Sequence, residues 1–249
     1  MTLYGLLGYP LGHSFSASYF AKKFASEQID ARYENFEFAG MDEAVPFLCS
    51  QRVLKGFNVT IPHKQAIIPH LSALSDDAKA IGAVNVVKVV DDSEGHRRFI
   101  GYNSDFIGFR DSLRPLLRPD VAYRALVLGT GGASKAVVYA LSQLGIPTTY
   151  VSRGGGEGRL RYEELSPEIM AEHLLVVNCS PVGMYPHVDE APAIPYAALT
   201  HRHILYDLVY NPLTTRFMAL GAAHGAVVKN GLDMLHLQAE AAWRIWQED

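Results

Sequence analysis

Lys64 ends the stretch Gly56-Phe57-Asn58-Val59-Thr60-Ile61-Pro62-His63-Lys64, two residues beyond a proline that closes an apolar run. Pro62 cannot donate to a sheet ladder and fixes φ, so the strand is predicted to stop near Thr60 and the turn or first helical residues after it to present Lys64. A lysine held in that way can give and take a proton. Alone, it reads as an ordinary solvated side chain, and only the rest of the chain can assign it more. Asp105 is the second candidate. It follows Asn103-Ser104 and precedes an amphipathic helical pattern over 106–117, where it is either an acid/base group or the N-cap of that helix. Ser14 and Ser16 flank Phe15 in the loop Tyr9-Pro10-Leu11-Gly12-His13-Ser14-Phe15-Ser16. In extended chain, residues two apart face the same way, so both hydroxyls could address one carboxylate or hydroxyl of a ligand. The alternative is that Ser16 caps a helix running through Glu27.

These groups need elements to hold them. Leu3 to Gly8 reads as a buried strand, Arg32 to Phe38 as an alternating one and Met41 to Ser50 as a helix. After a short helix over 75–81, Gly82 to Val90 is rich in β-branched residues and predicts a strand. Asp91 to Gly95 is its turn and Arg97 to Tyr102 the returning arm. Such a hairpin brings Asn85 and Asn103-Ser104-Asp105 to the same end of one ribbon.

Past Pro115 and Arg118-Pro119-Asp120 the pattern changes. Ala125 to Leu128 predicts a buried strand, Gly129-Thr130-Gly131-Gly132-Ala133-Ser134 a Gly-rich turn, and the residues up to Gly145 a helix. Strand, Gly-rich turn, helix and strand make the first unit of a dinucleotide site, in which glycines admit a pyrophosphate to the helix N-terminus. The next strand, Thr148 to Val151, ends at Ser152-Arg153, where such a fold meets the adenosine ribose. No Asp or Glu stands there before Glu157, and Arg153 suits a 2′-phosphate, hence NADP. Strands at 174–177 and 204–206 run into the loops Asn178 to Met184 and Asp207 to Pro212. Thr214 to Ala223 predicts a helix, Ala226 to Val228 a last strand, and Gly231 opens a final amphipathic helix through Trp246.

The chain has 249 residues, 49% hydrophobic and 19% charged, with a formal net charge of −4. It is long enough for a full core or two domains, and no basic block points to nucleic acid or an anionic membrane. A small-molecule partner is the expectation. Cys49 and Cys179, the only cysteines, lie far apart without metal-ligand spacing, so no metal is expected. They are expected to be reduced, buried thiols of a cytoplasmic protein. The stretch Met1 to Gly8 does not read as a signal peptide, and no run is long enough for a membrane span.

Taken in order, six blocks resemble the shikimate dehydrogenase family: Gly8 to Ser16, Asn58 to Lys64, Gly82 to Asn85, Asn103 to Asp105, Gly129 to Ser134 and Asn230 to Gln238. The resemblance runs almost the full length. It implies an α/β protein of two domains: a mixed α/β substrate-binding domain (1–104 plus 233–249) and a Rossmann-like, doubly wound parallel-sheet domain for NADP (105–232). By the same resemblance Lys64 and Asp105 form the acid/base pair, and Ser14, Ser16, Thr60, Asn85, Tyr210 and Gln238 contact the substrate. Gly129, Gly131, Gly132, Ala133, Ser152, Arg153, Met184 and Gly231 line the cofactor site. The activity implied is NADP-dependent interconversion of shikimate and 3-dehydroshikimate by a monomer or homodimer. A quinate/shikimate dehydrogenase using NAD(P) and a catalytically inactive shikimate sensor are the alternatives, and the intact Lys64 and Asp105 oppose the second. The chain departs from the family pattern at Ala17, Phe20-Ala21, Val86, Ser104, Ser152 and Gly154. Phe20 is expected to sit off the catalytic positions, and Gly154 removes one donor from the phosphate end of the cofactor.

Overall fold

The computed structural model describes residues 1–12, 15–91 and 94–248. The chain forms two compact units, Met1–Ser104 with Ala239–Asp249, and Asp105–Gln238. The chain passes from the first unit to the second after Ser104 and returns between Gln238 and Ala239, inside the last helix, where 232/233 was expected.

In the first unit the described elements are β1 (Thr2–Gly8), α1 (Phe15–Ser26), β2 (Ala31–Glu37), α2 (Met41–Ser50), β3 (Leu54–Val59), α3 (His63–Ala66), β4 (Ala73–Leu74), α4 (Asp76–Ile81), β5 (Val86–Asp91) and β6 (Arg97–Tyr102). They build a mixed sheet in the order β2-β1-β3-β5-β6-β4. Because strand side chains alternate, the two faces carry separate cores. Leu3, Leu7, Phe36, Leu48, Leu54, Phe57 and Val87 form one. The other is aromatic: Tyr4, Phe20, Phe24, Val86 and Trp246 come together, with Tyr33 partly buried against them. Gly56 is the device that admits the indole. A Cβ at that position would collide with Trp246, whose Nε1 donates to the Val87 carbonyl at 3.0 Å.

The expected strand over 82–90 starts later than its composition suggests. Gly82 takes φ 68° to close α4, whose N-cap Ser75 accepts from Ala78 N, and pairing begins at Val86. Cys49 is exposed, contrary to the expectation of a buried thiol, because α2 turns Ala44 and Leu48 to the core and the residue after them outward.

The second unit contains α5 (Asp105–Leu113), β7 (Ala125–Leu128), α6 (Gly132–Gln143), β8 (Thr148–Val151), β9 (Arg159–Leu160), α7 (Pro167–Glu172), β10 (Leu175–Asn178), β11 (Ile204–Asp207), α8 (Arg216–Ala223), β12 (Val227–Lys229) and the start of α9 (Leu232–Gln247). Its sheet is parallel throughout, in the order β12-β11-β10-β7-β8-β9. That is the doubly wound order, with the switch point between β7 and β10, where ligands of such sheets bind beyond the carboxyl ends of the strands. The helical pattern expected over 106–117 is shorter. α5 ends at Leu113 and a 3₁₀ turn containing Pro115 follows, since proline neither donates nor lets its predecessor stay helical.

Candidate functional site

Candidate residues lie in both units, each set within its own. In the first unit β3 delivers Thr60 and α3 delivers Lys64, and backbone bonds fix both. Thr60 N donates to the Leu7 carbonyl at 2.8 Å and His63 N to the Thr60 carbonyl at 2.9 Å. Val84 N donates to the carbonyl of Lys64 itself at 2.8 Å. His63, which sequence reasoning passed over, anchors the turn from inside: its buried ring nitrogen Nε2 lies 2.6 Å from the Phe38 carbonyl. Its signal was a histidine one residue before the candidate lysine.

The hairpin ends converge as expected. Val86 registers with Tyr102, Asn85 N donates to the Tyr102 carbonyl at 3.1 Å, and Asn103 Nδ2 donates to the Ala83 carbonyl at 3.0 Å. Asn85 is 3% exposed, and its amide grips Ser104: Nδ2 donates to Ser104 Oγ at 3.0 Å and Oδ1 accepts from Ser104 N at 2.6 Å. Asn85 therefore fixes the residue immediately before Asp105. Asp105 itself is the first residue of α5 and not the residue before it, so the N-cap alternative does not describe its place. Ser16 is likewise the second residue of α1, inside the first turn. Ser14 lies outside the described residues.

In the second unit β7 runs into Gly129, which takes φ 103°. α6 begins at Gly132 with Gly131 as its N-cap, and Ser134 turns its hydroxyl inward to the Gly131 carbonyl at 2.7 Å. A Cβ built on Gly131 or Gly132 meets no atom within 4 Å. Bare backbone, open space and the unsatisfied N–H groups of a helix start make a cradle for a phosphate, so these residues fit a dinucleotide. Ala133 lies in the same first turn. Across the switch point the chain after β10 comes close, the added Cβ of Gly129 being 3.4 Å from the Cys179 carbonyl.

Ser152 and Arg153 follow β8. Arg153 is exposed and pairs with neither Glu157 nor Glu163 among the described residues. The loop after it folds back through positive-φ glycines 155, 156 and 158 into the unforeseen edge strand β9, which carries Arg159, with Arg161 just beyond.

Met184 and Tyr210 are exposed on the loops after β10 and β11. Those two loops share one buried anchor. Asp207 is fully buried and accepts from Thr215 Oγ1 at 2.6 Å, Val209 N at 3.0 Å and Asn178 Nδ2 at 3.0 Å. Burial pushes its carboxyl up to about 6 against the pull of those three donors. Cys179 nearby is pushed up as well, by burial first and by Asp207 second. Gly231, expected at the cofactor, has a structural duty besides: a Cβ there would run into the Leu208 carbonyl. Gln238 Nε2 donates to the Leu235 carbonyl at 3.0 Å. Among the described residues no three His, Cys, Asp or Glu side chains group as metal ligands, and no helix is long and apolar enough to cross a membrane.

A doubly wound parallel sheet with a Gly-rich turn opening α6, joined to a mixed α/β unit carrying a fixed lysine, defines a two-domain dinucleotide-dependent oxidoreductase. Comparison with known proteins narrows this. The profile of the shikimate dehydrogenase substrate binding domain matches residues 6–87. A shikimate dehydrogenase (NADP(+)) of Clostridium beijerinckii is 37% identical over 266 residues, covering 100% of this chain and 93% of that protein. Among solved structures, the shikimate dehydrogenase of Aquifex aeolicus superposes with a TM-score of 0.86 at 31% identity, over 99% of this chain and 92% of that one. The Thermus thermophilus enzyme in complex with NADP(H) and shikimate gives 0.83 at 33% identity, over 99% and 94%. The chain belongs to the shikimate dehydrogenase family.

Proposed function

We propose that this chain is an NADP-dependent shikimate dehydrogenase, which reversibly reduces 3-dehydroshikimate to shikimate on the way to chorismate and the aromatic amino acids. What carries this is coverage: relatives with that activity align along the whole chain, so the Lys64 turn and the Gly-rich turn both lie within the matched length.

Bound NADP supplies the chemistry of accepting or giving a hydride. The chain's residues do the rest. Lys64 gives a proton to the substrate's C3 oxygen as the ketone is reduced and takes it back in the reverse direction, so hydride plus proton complete the two-electron change. Asp105 is its partner in that exchange. Ser14 and Ser16 hold the carboxylate, and Thr60, Asn85, Tyr210 and Gln238 supply neutral hydrogen bonds that fix which hydroxyl reacts. Gly129, Gly131, Gly132 and Ala133 hold the pyrophosphate at the start of α6. Ser152 and Arg153 take the 2′-phosphate, and Met184 and Gly231 line the remainder. The units then act as a substrate-binding domain (Met1–Ser104 with the end of α9) and an NADP domain. The protein works as a monomer or homodimer in the cytoplasm.

Absorbance in the reduced-nicotinamide band, with shikimate or quinate crossed against NADP or NAD, tests the proposal. Shikimate with NADP is expected to be the fastest pair. A faster rate with quinate or with NAD assigns a quinate/shikimate dehydrogenase, and no rate in any of the four assigns an inactive relative.

A further inference from the structure

In the first unit α1 meets the last turns of α9, where Phe20 and Phe24 pack with Ala239, Ala242 and Trp246. One polar contact stands beside this apolar one. Glu240 presents its carboxylate to α1: the Tyr19 hydroxyl donates to Oε1, and Lys23 Nζ donates to Oε1 and Oε2, each at 3.1 Å. The Lys23 side chain is only 11% exposed and also donates to Glu27 Oε1 at 2.8 Å. Burial works against the Glu240 charge, but the Tyr19 hydroxyl and the Lys23 ammonium outweigh it and hold the carboxyl below its ordinary range. An ionised carboxylate can only accept, so the single phenolic proton of Tyr19 goes to Glu240.

Phe15, Tyr19 and Lys23 follow one another at i, i+4 spacing and so share one face of α1. The Phe15 ring stacks on Tyr19, with centroids 5.6 Å apart and planes 23° from parallel. Phe20, at which this chain departs from its family's pattern, is fully buried and meets the Tyr19 ring edge-on at 5.3 Å. Tyr19 is therefore held at its hydroxyl by α9 and along its ring by two neighbours. Phe15 and Ser16 are the first two residues of α1. The first turn of a helix has unsatisfied N–H groups and few bonds of its own, so side-chain contacts decide where it lies.

We infer that Tyr19 is a positioning residue for substrate binding: anchored to Glu240 by its hydroxyl, it receives the Phe15 ring and thereby sets the first turn of α1, in which Ser16 stands. This rests on the proposed shikimate dehydrogenase activity, in which Ser16 takes the substrate carboxylate. Neither the bond to Glu240 nor the stack on Phe15 uses an atom of Ser16, so both persist when the serine hydroxyl turns to a ligand. Tyr19→Phe keeps the ring and its stacking and removes only the bond to α9.

The test is steady-state kinetics of the full chain as wild type, Tyr19→Phe, Glu240→Ala, Glu240→Gln, Ser16→Ala and Tyr19→Phe combined with Ser16→Ala, with far-UV circular dichroism to establish folding. In Tyr19→Phe, KM for shikimate should rise roughly 3- to 10-fold, the scale of one hydrogen bond, while kcat and KM for NADP stay within about twofold. Glu240→Ala removes the same bond from the other side and should raise KM at least as much. Glu240→Gln, whose amide oxygen still accepts from Tyr19, should bring KM back to within about twofold of wild type. Because Tyr19 acts through Ser16, adding Tyr19→Phe to Ser16→Ala should raise KM much less than it does in the wild type. An unchanged KM in Tyr19→Phe, a loss confined to kcat, no recovery in Glu240→Gln, or a full second loss on top of Ser16→Ala would overturn the inference while leaving the activity standing. A folded wild type that neither turns over nor binds shikimate would overturn the underlying activity, and the inference with it.

Discussion

Asp207 gives a stability prediction whose sign and size follow from its surroundings. It is fully buried at the end of β11 and accepts three hydrogen bonds, yet burial wins and its carboxyl titrates at about 6, against 3.8 for an unburied aspartate. Between those two values the folded protein binds the proton that the unfolded chain has released, so unfolding free energy falls as pH rises from about 4 to about 6 and levels off above that. Raising a carboxyl from 3.8 to about 6 is worth on the order of 3 kcal/mol, and no solvent reaches the group to screen it. Asp207→Asn cannot ionise and should lose this pH dependence. The substituted amide can still accept from Val209 N and Asn178 Nδ2, while its own NH₂ can donate to Thr215 Oγ1, at a pH-independent cost of about 1–2 kcal/mol. Urea unfolding of both proteins, followed by far-UV circular dichroism from about pH 4 to about pH 7.5, measures the difference. The variant should gain on the wild type by on the order of 3 kcal/mol across that range. A difference between the two that stays flat with pH would refute the assignment of burial as the dominant cause.

Two further outcomes are expected. Arg153→Ala should lower kcat/KM for NADP about 10- to 150-fold and leave NAD nearly untouched, since a guanidinium offers a 2′-phosphate paired hydrogen bonds that a 2′-hydroxyl cannot use; equal losses for both cofactors in the absorbance assay would count against it. Gly56→Ala should destabilise the protein by about 1–3 kcal/mol, because the indole it would strike is held by Val87 and stacked on Tyr4, and tryptophan emission during chemical denaturation should report an unchanged midpoint only if that packing is wrong.

Much of the architecture was legible because strongly patterned stretches leave little choice. The buried runs Leu3–Gly8 and Ala125–Leu128 and the hairpin arm Arg97–Tyr102 became strands where their composition put them. Shorter elements were not legible. β4 and β9 have two residues each, too few to show a period, and β9 emerges from a glycine-rich loop that reads as a break. Cap assignments slipped by one or two residues at Ser16 and Asp105, where a short polar residue suits either side of a helix start. Long-range pairings left no local trace. The bond from Tyr33 to Asn58 spans 25 positions, and the burial of Asp207 depends on donors from β10 and from the start of α8. Sequence spacing can nominate Lys64, Thr60 and Asn85; only register shows that Asn85 grips Ser104 and that the Lys64 carbonyl is tied to Val84.

Everything proposed for the reaction turns on Lys64 and Asp105 moving the proton in an NADP-dependent oxidation of shikimate. The measurement that bears on this most directly is kcat for shikimate oxidation with NADP in the wild type, Lys64→Ala, Asp105→Asn and the double variant, each shown to be folded. The wild type should turn over, Lys64→Ala should lose about 10²- to 10⁴-fold with KM changed far less, and the double variant should lose much less than the product of the single losses. A Lys64→Ala enzyme with kcat equal to wild type, or single losses that simply multiply, would contradict the assignment.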